Sequence, residues 1–227
     1  MHLTLGNKCY SSWSLRPWIL MKALGIEFTE TVLPLNTDTF YAEISKVSAA
    51  GQVPVLTDGA VTVWESLAIL EYLADRRRDL PVWPDDPIAR AHARCVSAEM
   101  HSGFRALRSA CPMNLGKRFA VRDRGADVAK DVARIITVWT DARKSFGANT
   151  SERFLYGAFC AADAMFAPVV TRLDTYSFDV PHDIRSYMDA VLTHPAFEAW
   201  KAAALRERWI IDSDEVDEPA IETFRNL

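Results

Sequence analysis

The spacing of apolar and polar residues changes character once along the chain, at about residue 81. Before that point, short apolar stretches with a period of two alternate with stretches of helical period. The pattern predicts strands at residues 2–5, 27–33, 53–57 and 60–64 and helices at residues 15–24, 38–48 and 66–78. Gly25 suits the end of the first helix, and Asp58-Gly59 suits a hairpin turn. The order of elements predicts a small α/β domain over residues 1–80.

Three prolines within residues 81–87 mark a linker, because proline neither continues a helix nor donates to a strand ladder. Beyond the linker the helical period dominates. It predicts helices at residues 88–110, 124–146, 161–176, 183–193 and 196–206. We therefore expect residues 88–227 to form an all-α domain.

Composition and charge narrow the function classes. The 227 residues are 49% apolar and 25% charged, as in ordinary globular proteins, with a net charge of −4. An acidic balance is unlike that of a general nucleic-acid binder. Five acidic side chains lie within residues 212–218, and the rest of the chain is nearly neutral. We expect this acidic C-terminal segment to be solvated and loosely packed beside the helical domain.

Several common motifs are missing from the sequence. The nine glycines form neither G-x-G-x-x-G nor a P-loop. The chain begins without a basic-then-apolar signal segment, and no apolar run reaches about 18 residues, so no membrane association is expected. The four cysteines are widely spaced, which favours reduced thiols and a cytoplasmic location. Nothing in the sequence calls for a metal.

The first candidate site is the serine-rich loop of residues 9–17, between the first strand and the first helix. A helix N-terminus with free N–H groups and hydroxyls suits an anionic ligand. Ser14 is positioned to cap the helix, which would account for one serine. Ser11 and Ser12 remain available to a ligand.

Two further candidates follow in the same domain. Pro54 begins a strand within Gln52-Val53-Pro54, either as a cis-proline that leaves the preceding backbone free for an extended ligand or as a trans-proline on an edge strand. Glu65-Ser66 lies at the start of the helix of residues 66–78. Ser66 could simply cap that helix, or the pair could bind the ammonium and carboxylate groups of a ligand.

Together these features resemble the glutathione S-transferase family. The resemblance rests on the serine loop, the Val-Pro strand, the Glu-Ser pair, the proline linker, and the residues from Gly157 to Asp163, which resemble a family segment that opens a central helix. Cys160 stands where the family usually has Ser or Thr. The serine loop looks most like the zeta and related bacterial serine-type classes.

The resemblance implies a thioredoxin-like domain that binds glutathione, followed by a helical domain that supplies most of the pocket for a small electrophile. Pro54 would be cis, Val53 would pair with the cysteinyl backbone of glutathione, and Gln52 would lie near its glycyl end. Glu65 and Ser66 would hold the γ-glutamyl group. Ser11, or failing that Ser12, would donate to the sulfur; aligning Arg16 and Gly25 with zeta-like sequences favours Ser11. A homodimer acting in detoxification is also implied.

Several of the remaining candidate residues allow more than one interpretation. Trp13, His101, Phe104 and Arg105 could line the electrophile pocket, although His101 could be an ordinary hydrogen-bonded histidine and Phe104 a core residue. Cys9 could form a mixed disulfide with glutathione or be an inert thiol at the end of the strand.

Three functions fit these residues. The first is conjugation of glutathione to a small hydrophobic electrophile. The second is a zeta-like maleylacetoacetate isomerase, or a thiol transferase or peroxidase. The third is a non-catalytic interaction module, which the intact set of candidate ligands argues against.

Overall fold

A computed structural model describes residues 1–147 and 153–225 of the chain. The first part contains four strands and three helices. These are β1 (His2–Leu5), α1 (Ser12–Ala23), β2 (Thr29–Val32), α2 (Asp38–Val47), β3 (Val55–Asp58), β4 (Val61–Trp64) and α3 (Ser66–Arg76). The order predicted from the sequence is confirmed, with shifts of up to three residues at the element ends.

The four strands form one mixed sheet in the order β2-β1-β3-β4. β1 and β2 are parallel, as a strand-helix-strand unit requires, and Leu3 lies beside Glu30. β3 is antiparallel to both β1 and β4. Gly59 turns the β3–β4 hairpin at a φ of 61°, a conformation that glycine adopts without steric cost.

The rest of the described chain is mainly helical. Its helices are α4 (Pro87–Ser102), α5 (Arg105–Ala110), α6 (Ala126–Ala142), α7 (Ala161–Thr175), α8 (His182–Leu192) and α9 (Pro195–Ala204). α7 is buried along almost its whole length and packs against α1, α4 and α8. The predicted combination of an α/β part and a helical part is confirmed.

Helix α1 is the link between the two parts. It packs on α7 and α9 on one side and on α3 on the other, and nine of its twelve residues are buried. Because β1 leads directly into α1, the loop between them lies where the sheet meets the helical part. A ligand at this loop can therefore be contacted from both parts.

The predicted helix of residues 88–110 is divided in two. A side chain at Gly103 would place its Cβ 2.7 Å from the carbonyl oxygen of Glu99, and Phe104 adopts a left-handed φ of 55°. The chain therefore turns at this point, and α5 starts in a new direction. The helical period continues across the turn, which explains why the sequence pattern suggested one helix.

The structure also contains a two-stranded antiparallel ribbon that the sequence did not predict. β5 (Lys117–Phe119) pairs with β6 (Ala220–Thr223). The strands are short and about a hundred residues apart in the chain, so no local pattern connects them.

The domain boundaries at 80 and 88 stay a prediction. The range 88–227 includes residues 148–152 and 226–227, which lie outside the described residues. Within the described ranges, no helix is both long and apolar enough to cross a bilayer.

Candidate functional site

The loop between β1 and α1 is the centre of the candidate site. Its backbone turns tightly, because the N–H groups of Tyr10 and Ser11 both donate to the carbonyl oxygen of Asn7. This turn brings the helix start forward, so that α1 begins at Ser12 and Ser11 is its N-cap. The prediction that Ser14 caps the helix is wrong.

Ser14 has another role inside the helix. Its backbone N–H donates to Ser11 Oγ (3.4 Å), the Ser11 hydroxyl donates to Ser14 Oγ (2.8 Å), and the N–H of Gly6 donates to the same Ser14 oxygen (3.0 Å). Ser14 therefore connects the helix start to the end of β1. Ser11 is held at the N-terminus of the helix, where the free N–H groups favour a negative charge.

Ser12 has a cationic neighbour. Its oxygen accepts a hydrogen bond from Nη2 of Arg172 on α7 (3.4 Å). Since the oxygen is the acceptor, the hydroxyl hydrogen of Ser12 is free to point toward a ligand.

The Val53–Pro54 peptide bond is cis, as the resemblance implied. Gln52 and Val53, which come just before it, line a cavity in front of the serine loop. The N–H of Gln52 donates to Ser48 Oγ (3.4 Å), which holds the approach to this bond. The strand β3 starts only at Val55, so the backbone at Val53 lies outside the strand ladder.

Glu65, and not Ser66, occupies the cap position of α3. Glu65 is the N-cap of α3, with a strained φ of 78°, and no side chain caps the helix start. Of the two interpretations of Ser66, the one in which it caps the helix is therefore wrong. Ser66 is the first helical residue, and its hydroxyl is fully buried without a partner among the described residues. The free N–H groups of the first turn of α3 can receive a carboxylate.

These loops enclose one cavity of about 620 Å³, which we call the front cavity. Of the predicted ligand residues, the front cavity is lined by Ser11, Ser12, Trp13, Gln52, Val53, Glu65 and His101. Pro54 and Ser66, which neighbour Val53 and Glu65 in the chain, do not line it. The structure thus brings together segments of the α/β part and the helical part that are far apart in sequence.

The predicted electrophile residues divide into two groups. Trp13 and His101 pack edge to face, with ring centroids 5.2 Å apart, and Arg105 lies close by. Phe104 is different: it is 6% exposed, belongs to the hydrophobic core and lines neither this cavity nor the one beside Arg105. Its placement in the electrophile pocket is corrected, because the turn at Gly103 directs it into the core.

Arg172 and Asp214 are site residues that the sequence analysis missed. Both line the front cavity. A signal for Arg172 was present, because it is the one basic residue of the mostly apolar helix α7, and basic residues are seldom buried without a role. Asp214 was hidden within the acidic segment.

The arginines around Trp13 repel one another. The Arg16 guanidinium stacks 3.9 Å from the Trp13 ring centroid and that of Arg108 lies 4.8 Å from it. Burial, together with the charges of Arg172 and Arg108, lowers the pKa of Arg16 well below its usual range. Burial and Arg108 lower the pKa of Arg172 to about 10. The site therefore has a positive potential beneath the serine loop.

The acidic segment is packed against the site, which corrects the expectation of a loose, solvated tail. Glu215 accepts hydrogen bonds from the Tyr10 hydroxyl (2.7 Å), Asn114 Nδ2 (3.0 Å) and Lys117 Nζ (2.6 Å). Glu218 forms a two-pronged pair with Arg124, at 2.9 Å for each contact. These acids have specific partners, so the segment is part of the fold.

Cys9 has the surroundings of an inert thiol. It is fully buried, and burial raises its pKa. Because the thiolate is the reactive form, this setting argues against a mixed disulfide with a ligand. No set of three or more His, Cys, Asp and Glu side chains with metal-binding geometry occurs in the described part of the chain.

Comparisons with known proteins agree on one family. The family model described as glutathione S-transferase, N-terminal domain, matches residues 10–76. The chain is 27% identical to a maleylacetoacetate isomerase of Rattus norvegicus, over 82% of this chain and 85% of that protein. A probable maleylacetoacetate isomerase of Caenorhabditis elegans is 33% identical, but the match covers only 42% of this chain and 44% of that protein.

Solved structures agree on the fold. A glutathione transferase homologue from Burkholderia with bound glutathione superposes with a TM-score of 0.67 at 20% identity, covering 89% of this chain and 97% of that one. A diazinon-metabolizing glutathione S-transferase of the silkworm Bombyx mori gives 0.69 at 20% identity, covering 89% and 96%. These likenesses confirm the thioredoxin-like α/β part followed by a helical part.

Proposed function

We propose that the chain is a glutathione S-transferase and that it conjugates glutathione to small electrophiles with a serine hydroxyl at the sulfur. One observation carries the proposal. Ser11, Val53 and Glu65 come from three separate segments, and all three line the front cavity. A tripeptide needs such a set of partners: a donor for its sulfur, an unpaired backbone for its middle, and polar groups for its γ-glutamyl end.

The binding mode follows from these positions. The backbone of Val53 lies outside the β3 ladder and pairs with the cysteinyl residue, while Gln52 lies toward the glycyl end. The ammonium group of glutathione meets the Glu65 carboxylate. Its neighbouring carboxylate receives the N–H groups at the start of α3, with the unpartnered Ser66 hydroxyl beside them.

Activation of glutathione requires its thiolate to be stabilised by a few kcal/mol. A free thiol has a pKa of about 8.5, so only a few per cent is thiolate at neutral pH. A hydrogen bond to a charged group contributes about 1.5–3 kcal/mol, which corresponds to roughly one to two pKa units. The Ser11 hydroxyl and the N-terminus of α1 together provide this stabilisation of the glutathione thiolate. The thiolate then attacks an electrophilic carbon in the cleft.

Ser12 is the second candidate for the sulfur donor, on a specific observation. The Ser11 hydroxyl already donates to Ser14 Oγ, whereas the Ser12 oxygen accepts from Arg172 and keeps its hydrogen free. Ser11 remains the first candidate because it is the N-cap, where the field of α1 is strongest.

The serine variants separate these candidates. We expect Ser11→Ala to raise the pKa of bound glutathione by about one unit or more, measured by thiolate absorbance against pH. Ser12→Ala and Cys9→Ala serve as matched controls and should leave it nearly unchanged. A shifted pKa in Ser12→Ala alone would move the role to Ser12. Failure of the wild-type protein to bind immobilised glutathione at neutral pH would contradict the proposal as a whole.

A second candidate function is isomerisation of the maleylacetoacetate type. It is favoured by the relatives that carry this name and by the arginines beneath the serine loop, which suit an acidic substrate. Incubation of the protein with glutathione and maleylacetoacetate, followed by ultraviolet absorbance, tests it directly. Thiol transfer and peroxide reduction are less well supported because Cys9 is buried.

Three further expectations belong to the same proposal. The domains meet at residues 81–87, the protein forms a homodimer, and it acts in cytoplasmic detoxification. Light scattering coupled to size-exclusion chromatography would measure the mass directly, and a mass near 25 kDa would contradict the dimer.

A further inference from the structure

Part of the front cavity is lined by residues without charge. They come from α2 and from the two loops that flank this helix, and we call them the neutral lining: Leu35, Asn36, Phe40, Tyr41, Gly51, Gln52 and Val53. Only Asn36, Tyr41 and Gln52 among them have polar side chains, and these end in an amide or a phenol. The proposed binding mode places the glycyl residue of glutathione here, next to Gln52.

The lack of charge in the neutral lining is already visible in the sequence. Between Lys22 and Arg76, the chain contains a single lysine, arginine or histidine, which is Lys46. Lys46 pairs with Glu43 at 2.6 Å on the exposed surface of α2, and it does not line the front cavity. This stretch of the chain therefore supplies no cation to the cavity.

The basic residues that do line the front cavity stand near other parts of it. In the described ranges they are His101, Arg108 and Arg172, all from the helical part. His101 Nε2 pairs with the Glu65 carboxylate at 3.0 Å. Arg172 Nη2 donates to Ser12 Oγ (3.4 Å), and Arg108 packs against the tryptophan ring that follows Ser12. Each cation thus lies beside the start of α1 or of α3, where the binding mode places the sulfur and the γ-glutamyl group.

The two arginines are also held by the backbone of the helical part. Arg108 donates to the carbonyl oxygen of Gly103 (3.2 Å), and Arg172 donates to that of Cys111 (2.8 Å). A peptide spans about 3.3–3.6 Å per residue, so an extended tripeptide is about 10 Å long. An ion pair needs its charged atoms within about 4 Å of each other. A glycyl carboxylate at the neutral lining is therefore out of ion-pair reach of a cation at the γ-glutamyl end.

We propose that the protein recognises its thiol as a γ-glutamylcysteine and does not read the glycyl carboxylate by charge, so that thiols amidated at this carboxylate serve equally with glutathione. This inference rests on the proposed function and specifies the class of thiol. Asn36, Tyr41 and Gln52 are all exposed to solvent. A carboxylate beside them exchanges its hydrogen bonds with water for bonds of similar net strength, so it gains little over a carboxamide.

Two thiols that differ only at the glycyl end test the proposal. Glutathione carries the carboxylate, and glutathione amide carries a carboxamide in its place. With 1-chloro-2,4-dinitrobenzene, either thiol loses its proton to solvent, a C–S bond forms, and chloride leaves with the electron pair of the broken C–Cl bond. Each kcat/KM is divided by the uncatalysed rate constant of the same thiol. We expect the two quotients to agree within about threefold at neutral pH and low salt, and a larger preference for glutathione would overturn the inference.

A cation added to the neutral lining should create the missing recognition. Gln52→Lys and Tyr41→Lys each place an ammonium group at an exposed lining position, so neither variant disturbs the core. We expect each to raise the glutathione-to-amide ratio about three- to fivefold, the range of an exposed ion pair. Salt at about 0.5 M should remove most of this gain, because it screens exposed charges.

Ala42→Lys is the matched control for these variants. It adds the same charge to an exposed position of α2 that does not line the cavity, so its ratio should stay near that of the wild type. A ratio that rises in neither Gln52→Lys nor Tyr41→Lys would contradict the placement of the glycyl end, and the inference would fail. An equal rise in Ala42→Lys would have the same consequence.

Direct binding separates this inference from the proposed function. Titration calorimetry with S-methylglutathione and its glycyl amide measures recognition without chemistry, and S-methylcysteinylglycine lacks the γ-glutamyl group. Similar Kd values for the first two, with the third about tenfold weaker or more, support the inference even if conjugation is absent, in which case only the proposed function fails. Binding of S-methylglutathione but not of its amide refutes the inference and leaves the proposed function intact. No binding of either refutes both.

Discussion

The Ser11 hydroxyl has a structural task as well as its proposed chemical one. It caps α1, and its loss leaves an N–H group at the helix start without a side-chain acceptor. Such caps contribute about 0.5–2 kcal/mol to stability. A Ser11→Ala variant is therefore expected to be less stable as well as less active. The loss of stability and the change in the pKa of bound glutathione are two separate measurements of what the Ser11 oxygen does.

The four cysteines differ in their exposure to solvent. Cys95 is exposed, whereas Cys9, Cys111 and Cys160 are buried. Burial raises the pKa of Cys9 and Cys160 and brings that of Cys111 to about 11. We predict that one equivalent of a chromogenic thiol reagent reacts quickly at pH 7.5 in the native protein.

The Cys95→Ser variant provides the control for this prediction, because it should abolish the fast phase. In concentrated denaturant, the wild-type protein should show four reactive thiols. A fast phase that survives in Cys95→Ser would contradict the prediction, because it would mean that the reagent reaches a buried cysteine.

The start of α7 shows how one side chain holds an element. Cys160 is the N-cap, where a thiol is only a weak acceptor, and Asp163 offsets this weakness. The Asp163 carboxylate accepts from the N–H groups of Leu155 (3.0 Å) and Cys160 (2.9 Å). It thus joins the helix start to the segment before it, deep in the helical part.

We predict that Asp163→Asn destabilises the protein by about 1–3 kcal/mol. The amide keeps one acceptor oxygen, and its NH₂ group then faces an N–H donor. Urea unfolding at pH 7.5 measures the effect; burial raises the pKa of Asp163 to about 6, so the carboxylate is mostly ionised there. Asp183→Asn is the matched control in the exposed first turn of α8, with an expected change below about 0.5 kcal/mol.

At the level of elements, local patterns predicted most of the fold. The period of apolar residues located α1 to α3 and α6 to α9, because each of these helices buries at least one face; α1 and α7 are buried on nearly all sides. It could not show that residues 88–110 contain a break, since that depends on contact between Gly103 and the preceding turn. It also missed the β5–β6 pair, whose partners meet only in the folded chain.

The candidate site was likewise predictable only where local sequence motifs define it. Ser11, Val53 and Glu65 lie in short motifs with local chemistry, and the structure places all three on one cavity. Arg172 and Asp214 reach that cavity only because α7 and the C-terminal segment pack against the serine loop. Their role comes from tertiary placement: the lone basic residue of α7 marks Arg172 as unusual but does not show which cavity it reaches, and nothing around Asp214 marks it.

At the scale of the whole molecule, the segment after α9 packs back against the serine loop. Arg225 donates to the Tyr10 hydroxyl (3.0 Å) and to the carbonyl oxygen of Trp209 (2.9 Å). The Glu207 carboxylate accepts from the N–H groups of Lys8 (2.8 Å) and Cys9 (3.2 Å). The segment therefore supports the loop that carries the proposed sulfur donor.

Loss of one tie in this segment should be measurable. We predict that Glu215→Gln lowers the free energy of unfolding at pH 7 by about 1.5–3 kcal/mol, because Glu215 forms a charged hydrogen-bond network with Tyr10, Asn114 and Lys117. Although burial opposes it, the hydrogen bonds from Lys117 and Tyr10 lower the pKa of Glu215. Urea unfolding provides the measurement.

The lowered pKa of Glu215 determines how the stability difference between wild type and Glu215→Gln changes with pH. A glutamate whose pKa is lowered by folding contributes stability above its unfolded pKa of about 4.3, and loses it as pH falls through the folded value. The difference between wild type and Glu215→Gln should therefore be full at pH 7 and shrink below about pH 4.3. Asp217→Asn, in the same segment but exposed, should change stability little at either pH. A constant difference across this range would contradict the assignment.

The ties between the serine loop and the C-terminal segment also affect how the protein is made. Lys8 and Glu207 are 199 positions apart, and Tyr10 and Arg225 are 215 apart. On the ribosome, the loop leaves the exit tunnel long before its supports have been translated. The α/β part can form its sheet early, but its loop acquires these ties only after Glu207 and Arg225 have been translated. Binding competence is thus acquired after the local fold, and an interrupted translation product would be folded in part but without its finished site.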